Sequence, residues 1–124
     1  MWIFETTDYS NTPVVLSEET WQTKAGNHVP GSHPEIQPYL NDIKTTVENP
    51  DLVLQSTRDE RAKMFYQLNA GRDMFIGKHL VVVVKYVHEQ EGVRGYVSTM
   101  YLSRTIYSKG ELLWKKVKQI SQSK

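Results

Sequence analysis

The sequence predicts an α+β domain in which N-terminal helices pack on a mainly antiparallel sheet of four to five strands. Three observations lead there. Apolar residues recur at helical spacing up to Val47, and at period two from Leu52 onward. The later segments are joined by short loops, which connect antiparallel neighbours because a parallel crossover takes a dozen residues or more. Charge divides near the same place. Residues 1–62 hold 4 Lys/Arg against 10 Asp/Glu, a balance of −6, whereas residues 63–124 hold 11 against 4, a balance of +7. A length of 124 residues fits one domain spanning 1–124.

Residues 1–12 are polar and read as irregular, with at most a short strand at Trp2–Glu5. Ser17-Glu18-Glu19 is a helix start, because serine can cap free backbone donors and two acids oppose the positive end of the helix dipole. Gly26 and Asn27 end this helix early, and the prolines of His28–Pro34 make a loop. A second helix is expected from about Glu35 to Val47, with Ile36, Leu40, Ile43 and Val47 forming one apolar stripe. Pro38 is compatible with it only in the first turn, where backbone N–H groups lack helical partners. Asn49-Pro50-Asp51 stops it.

Strands are then expected at Leu52–Gln55, Met64–Asn69, Leu80–His88 and Tyr96–Ser103, all rich in Val, Tyr, Leu and Phe. The run Leu80–Val84 is apolar on both faces, which places the third of these strands in the middle of the sheet. Residues 111–124 form a C-terminal extension whose Leu112-Leu113-Trp114 fits a last strand or a short helix.

Composition excludes several classes. No run approaches the roughly 20 apolar residues of a membrane-spanning helix. The absence of cysteine removes disulfides, thiolate metal sites and a cysteine nucleophile. The first residues lack the pattern of a secretory signal, so the cytoplasm is the expected compartment. His28, His33 and Glu35 lack a metal-ligand register, and neither a metal nor another cofactor is expected.

Candidate site residues come from polar groups placed at strand and helix ends. His33 precedes the second helix, where a neutral imidazole can act as general base beside anion-binding N–H groups; a plain loop or cap role also fits. Lys85 interrupts an apolar strand and either snorkels to solvent or faces a cleft. Strict alternation puts Tyr96, Ser98, Met100 and Leu102 on one face of the last predicted strand, and Val97, Thr99, Tyr101 and Ser103 on the other. That hydroxyl-rich second face is either the solvent side or the floor of a polar cleft. Arg58 in the preceding loop fits a phosphate clamp or a solvated charge, and Tyr66 shares a strand face with Met64. Cations interleaved with tyrosines across the basic half suit single-stranded nucleic acid, whereas a net charge of +1 is low for a non-specific duplex binder.

Taken in order, His33-Pro34-Glu35-Ile36, Pro38-Tyr39-Leu40, Asn49-Pro50-Asp51, Phe65-Tyr66, Leu80–Lys85 and Ser98-Thr99-Met100-Tyr101 resemble a known family. Over about residues 14–104 the chain is similar to phage- and toxin-associated members of the barnase–EndoU–colicin–RelE-like nuclease group. The resemblance implies a metal-independent endoribonuclease on a helix-plus-four-strand fold, cleaving RNA by 2′-OH attack on the phosphodiester. It implies an acid/base role for His33, phosphate-binding cations at Arg58 and Lys85, and Thr99 and Tyr101 on the active face, so His33, Lys85, Thr99 and Tyr101 are the expected catalytic residues; His28, Arg58, Tyr66 and Ser98 are expected to bind substrate. It also implies single-stranded or transfer RNA as partner, and an immunity or antitoxin protein as inhibitor. Thr23 stands where such relatives often carry a histidine two residues after the helix tryptophan, here Trp21. A catalytically inactive RNA- or protein-binding module of the same fold is the alternative expectation.

Overall fold

A computed structural model describes residues 1–107 and 109–117 of the chain. Strands β1 (Trp2–Thr7) and β2 (Pro13–Ser17) form an N-terminal hairpin and are followed by helix α1 (Glu18–Ala25). A 3-10 segment (Pro34–Tyr39) leads into helix α2 (Leu40–Glu48). Then come β3 (Leu52–Gln55), β4 (Ala62–Gln67), β5 (His79–Glu89), β6 (Gly92–Ser103) and β7 (Leu112–Lys115). All seven strands belong to one sheet of order β1-β2-β6-β5-β4-β3-β7. The α+β class holds, but the expected four to five strands are seven among the described residues, and the sheet is mixed because β2 runs parallel to β6.

The helix starts follow from local chemistry. Ser17 Oγ accepts the Thr20 N–H at 3.0 Å, and Glu18 and Glu19 occupy the first turn of α1. The segment expected as one helix from Glu35 is divided. Pro34 and Pro38 lie in the 3-10 turns, and the α-helix begins only at Leu40. A proline inside an α-helix removes a hydrogen bond and collides with the carbonyl four residues back, so the regular helix waits until Pro38 is passed. The apolar stripe survives the change, since Ile36, Ile43 and Val47 are all fully buried.

β5 is the middle strand, as its doubly apolar run predicts, flanked antiparallel by β4 and β6. One face of the sheet packs under the helices, with Phe65, Val82, Val84, Val97 and Met100 in the same cluster as Ile36, Ile43 and Val47. The β1–β2 turn folds over this face, where the Tyr9 ring lies 5.7 Å from that of Phe65 and 5.4 Å from that of Trp114. Asp8 organises the turn, accepting Ser10 N–H (2.8 Å), Thr12 N–H (3.0 Å) and the Tyr86 hydroxyl (2.5 Å). Residues 1–12 are therefore largely ordered, and the acidic half carries three strands as well as both helices.

A β-bulge changes the reading of β6. Val83 pairs with Thr99 and Val84 with Val97, so Ser98 is an extra residue. Val97 and Met100 consequently point to the same core, which strict alternation forbids. Thr99, Tyr101 and Ser103 stay on the opposite face, and Ser98 is exposed. The tail expected as strand or helix is a strand at Leu112–Lys115, paired antiparallel with β3; residues 118–124 lie outside the described residues.

Candidate functional site

The sheet face turned away from the helices carries a cleft of about 590 Å³. Lys85 lines it, at the point where the apolar run of β5 ends. Lys85 pairs across the strands with Ala62 and Tyr96, and its Nζ lies 3.2 Å from Asp59 Oδ2. Arg61 Nε approaches the same carboxylate at 3.6 Å. The Arg61 backbone N–H and the Lys85 ammonium hold the Asp59 carboxyl below its ordinary range.

Arg58 and Asp59 reach the cleft because the β3–β4 loop is tied from within. Gln55 Nε2 donates to the carbonyls of Glu60 (3.1 Å) and Ala62 (3.0 Å), and Ser56 Oγ accepts the Arg58 and Asp59 N–H groups at 3.2 and 3.3 Å. Side-chain bonds of this kind let serine and glutamine shape a loop that has no ladder of its own. Among the described residues Arg58 and Lys109 have no carboxylate within ion-pair distance.

The floor is mixed. Tyr66 is 1% exposed, Met64 and Val83 are half-buried, and Tyr101 lies beside them. Burial pushes the Tyr101 phenol above its ordinary value, Tyr66 adds to this, and the Arg58 guanidinium opposes it. Burial raises the Tyr66 phenol as well, against the N–H it accepts from Tyr107 at 2.9 Å. Hydroxyls of Ser98, Thr99, Ser103 and Thr105 line the rim.

The far wall is the connection from β6 to β7, a strap whose Thr105, Ile106, Tyr107 and Lys109 all line the cleft. It is pinned by the Tyr107 N–H on Tyr66 Oη and by a hydrogen bond between the Tyr107 and Thr57 hydroxyls. It returns to the sheet where the Gln55 N–H donates to the Glu111 carbonyl at 2.8 Å. Gly110 permits that approach, since a Cβ there would stand 2.0 Å from the Gln55 carbonyl oxygen. Gln55, Asp59 and the strap were not legible as site features. Only the hydroxyl and glycine content of residues 103–110 hinted at a structured turn.

Six of the eight residues singled out from the sequence line this one cleft: Arg58, Tyr66, Lys85, Ser98, Thr99 and Tyr101. The two histidines do not. His33 stands next to it, with its ring centroid 6.3 Å from that of Tyr101 and Nδ1 3.5 Å from Glu35 Oε2. Its side chain is 44% exposed. The bulge and the short β2–β6 pairing explain its reach: β2 meets β6 only at Gly95 and Tyr96, so the loop carrying His33 lies beside the later half of β6. His28 is an exposed loop residue with φ of 62° and is not part of the lining. Among the described residues, no three His, Cys, Asp or Glu side chains are grouped so as to hold a metal ion, and no helix is long and apolar enough to cross a membrane. No protein-family model, curated protein or solved structure matches this chain.

Proposed function

We propose that the cleft binds single-stranded RNA and that the protein is a small endoribonuclease acting without a metal. The observation that carries this reading is the meeting of Arg58 and Lys85 with the hydroxyls of Ser98, Thr99 and Tyr101 on one sheet face, beside His33. Cations and hydroxyls lining one cleft suit a phosphodiester, and stabilising the charge that develops on it is usually the largest contribution to such a reaction. His33, turned by Glu35 at its Nδ1, takes the proton of a ribose 2′-OH through Nε2. The freed O2′ attacks the adjacent phosphorus. The P–O5′ bond breaks, and the departing O5′ receives the proton of Tyr101, whose phenol is protonated at neutral pH. The products are a 2′,3′-cyclic phosphate and a 5′-hydroxyl. Lys85 and Arg58 hold the non-bridging oxygens, with Thr99 and Ser98 as donors.

The cytoplasm and a cognate immunity or antitoxin protein belong to this reading as its expected setting. A second reading, RNA binding without cleavage, draws on Thr23 in α1 and on the occupation of Lys85 by Asp59. Purified protein incubated with mixed RNA and with isolated transfer RNA in EDTA separates the two. Cleavage to cyclic-phosphate ends that is lost in His33→Ala and in Lys85→Ala supports the nuclease. Salt-dependent binding with intact RNA supports the binding module, and RNA that is neither bound nor cut overturns both.

A further inference from the structure

A cleft made only to hold phosphate has no need of an apolar floor. This one has Met64 and Val83 left half-exposed on the sheet, faced by Ile106 from the strap and bordered by the rings of Tyr101 and Tyr107. Uncovered apolar groups within a cleft, ringed by a few polar ones, are the usual composition of a site for a flat organic group. Arg58 on the β3–β4 loop and Lys85 on β5 line the cleft together with this aliphatic floor, and the strap adds Lys109 beside Ile106 and Tyr107.

We propose that this floor is a nucleobase subsite and that Tyr107 is the residue that seats the base against the hydroxyls that read it. The proposal rests on the RNA reading of the same cleft and adds to it a recognition element. A phosphate held by Lys85 and Arg58 leaves its attached nucleoside over Met64 and Val83. Tyr107 is placed to border the base because two bonds fix it: its N–H on the buried Tyr66 hydroxyl at 2.9 Å, and its own hydroxyl on Thr57. A ring held at both ends defines a slot of set width, and stacking on it is tolerant of base identity while hydrogen bonds at the slot edge are not. The Thr105 and Ser103 hydroxyls supply that edge, with Ser103 Oγ itself donating to the Thr105 carbonyl at 2.9 Å.

Two measurements test this together. The first compares equilibrium binding of the four ribonucleoside monophosphates with that of ribose 5-phosphate. The subsite predicts that at least one nucleotide binds about tenfold tighter than the sugar phosphate, that Tyr107→Ala and Val83→Thr both erase most of the difference, and that Tyr107→Phe, which keeps the ring and the backbone bond but loses the bond to Thr57, retains part of it. The second maps cut positions in a randomised single-stranded RNA pool; one base is expected to dominate at a fixed place beside the cut, and Tyr107→Ala to flatten that preference. Equal binding of nucleotides and ribose 5-phosphate overturns the subsite even if RNA is cut. A nucleotide preference without any cutting keeps the subsite while the nuclease reading falls. Base preference unchanged in both Tyr107→Ala and Val83→Thr overturns the assignment of the base to this floor.

Discussion

Lys85 Nζ lies 3.2 Å from Asp59 Oδ2, so the cation of the central strand is fastened to the loop that also carries Arg58. The pair is partly exposed, and its function is to set position more than to stabilise, since exposed ion pairs contribute little. Asp59→Asn is expected to leave thermal stability nearly unchanged but to free Lys85 and loosen the β3–β4 loop. Faster amide exchange at Arg58 and Arg61 checks this. Because the folded Asp59 carboxyl sits below its ordinary range, this anchoring is fully present above the unfolded carboxylate pKa and is lost as pH falls through the folded value. An NMR titration of the Asp59 carboxyl is expected to show its midpoint below the ordinary range of free aspartate.

The strap depends on Gly110 lying against Gln55. Gly110→Ala places a Cβ where the Gln55 carbonyl now stands and is expected to displace the start of β7 from β3. The expected signature is loss of hydrogen-exchange protection at Gln55 and at the Tyr107 amide, with the helix-face core unchanged. Tyr66→Phe removes the acceptor of that same amide and is expected to destabilise by about 1 kcal/mol in denaturant unfolding. A strap that keeps its protection in both variants contradicts its pinning by these two contacts.

Alkaline stability is set in part by Tyr86. Burial and the neighbouring Asp8 carboxylate push its phenol far above the ordinary value. A raised folded pKa means that this contribution is complete below the unfolded tyrosine pKa of about 10 and declines as pH rises beyond it. The melting temperature is therefore expected to fall above about pH 10, with a shallower fall in Tyr86→Phe. Asp8→Ala also strips acceptors from the β1–β2 turn and is expected to cost about 2–3 kcal/mol. The Asp8→Ala, Tyr86→Phe double variant should fall short of the sum, because the two share one hydrogen bond.

Phe65 bridges the helix-face core and the Tyr9 ring. Phe65→Ala is expected to cost about 3–5 kcal/mol and to free the β1–β2 turn. Denaturant unfolding measures the first, and loss of Tyr9 ring-proton contacts to Trp114 measures the second.

The sequence by itself determined the α+β class, the Ser17 helix start, the break before β3, the centrality of β5 and most of the cleft cations and hydroxyls. These are local or periodic properties: a cap needs only its next few residues, and a doubly apolar run has no stable place except the middle of a sheet. Only the tertiary structure decided the rest. β2 carries no period of its own beyond Val14, Val15 and Leu16, and it becomes a strand by pairing with β1 and with Gly95 and Tyr96 far along the chain. The Ser98 bulge shows in no local pattern, because it arises from register against β5; it brings Val97 to the core side with Met100 while Thr99 and Tyr101 stay in the cleft. His33 and Tyr101 are 68 positions apart in sequence, and their ring centroids come to 6.3 Å only in the folded chain. The strap likewise depends on Gly110 meeting Gln55 and Tyr107 meeting Tyr66, contacts between segments that no periodicity connects.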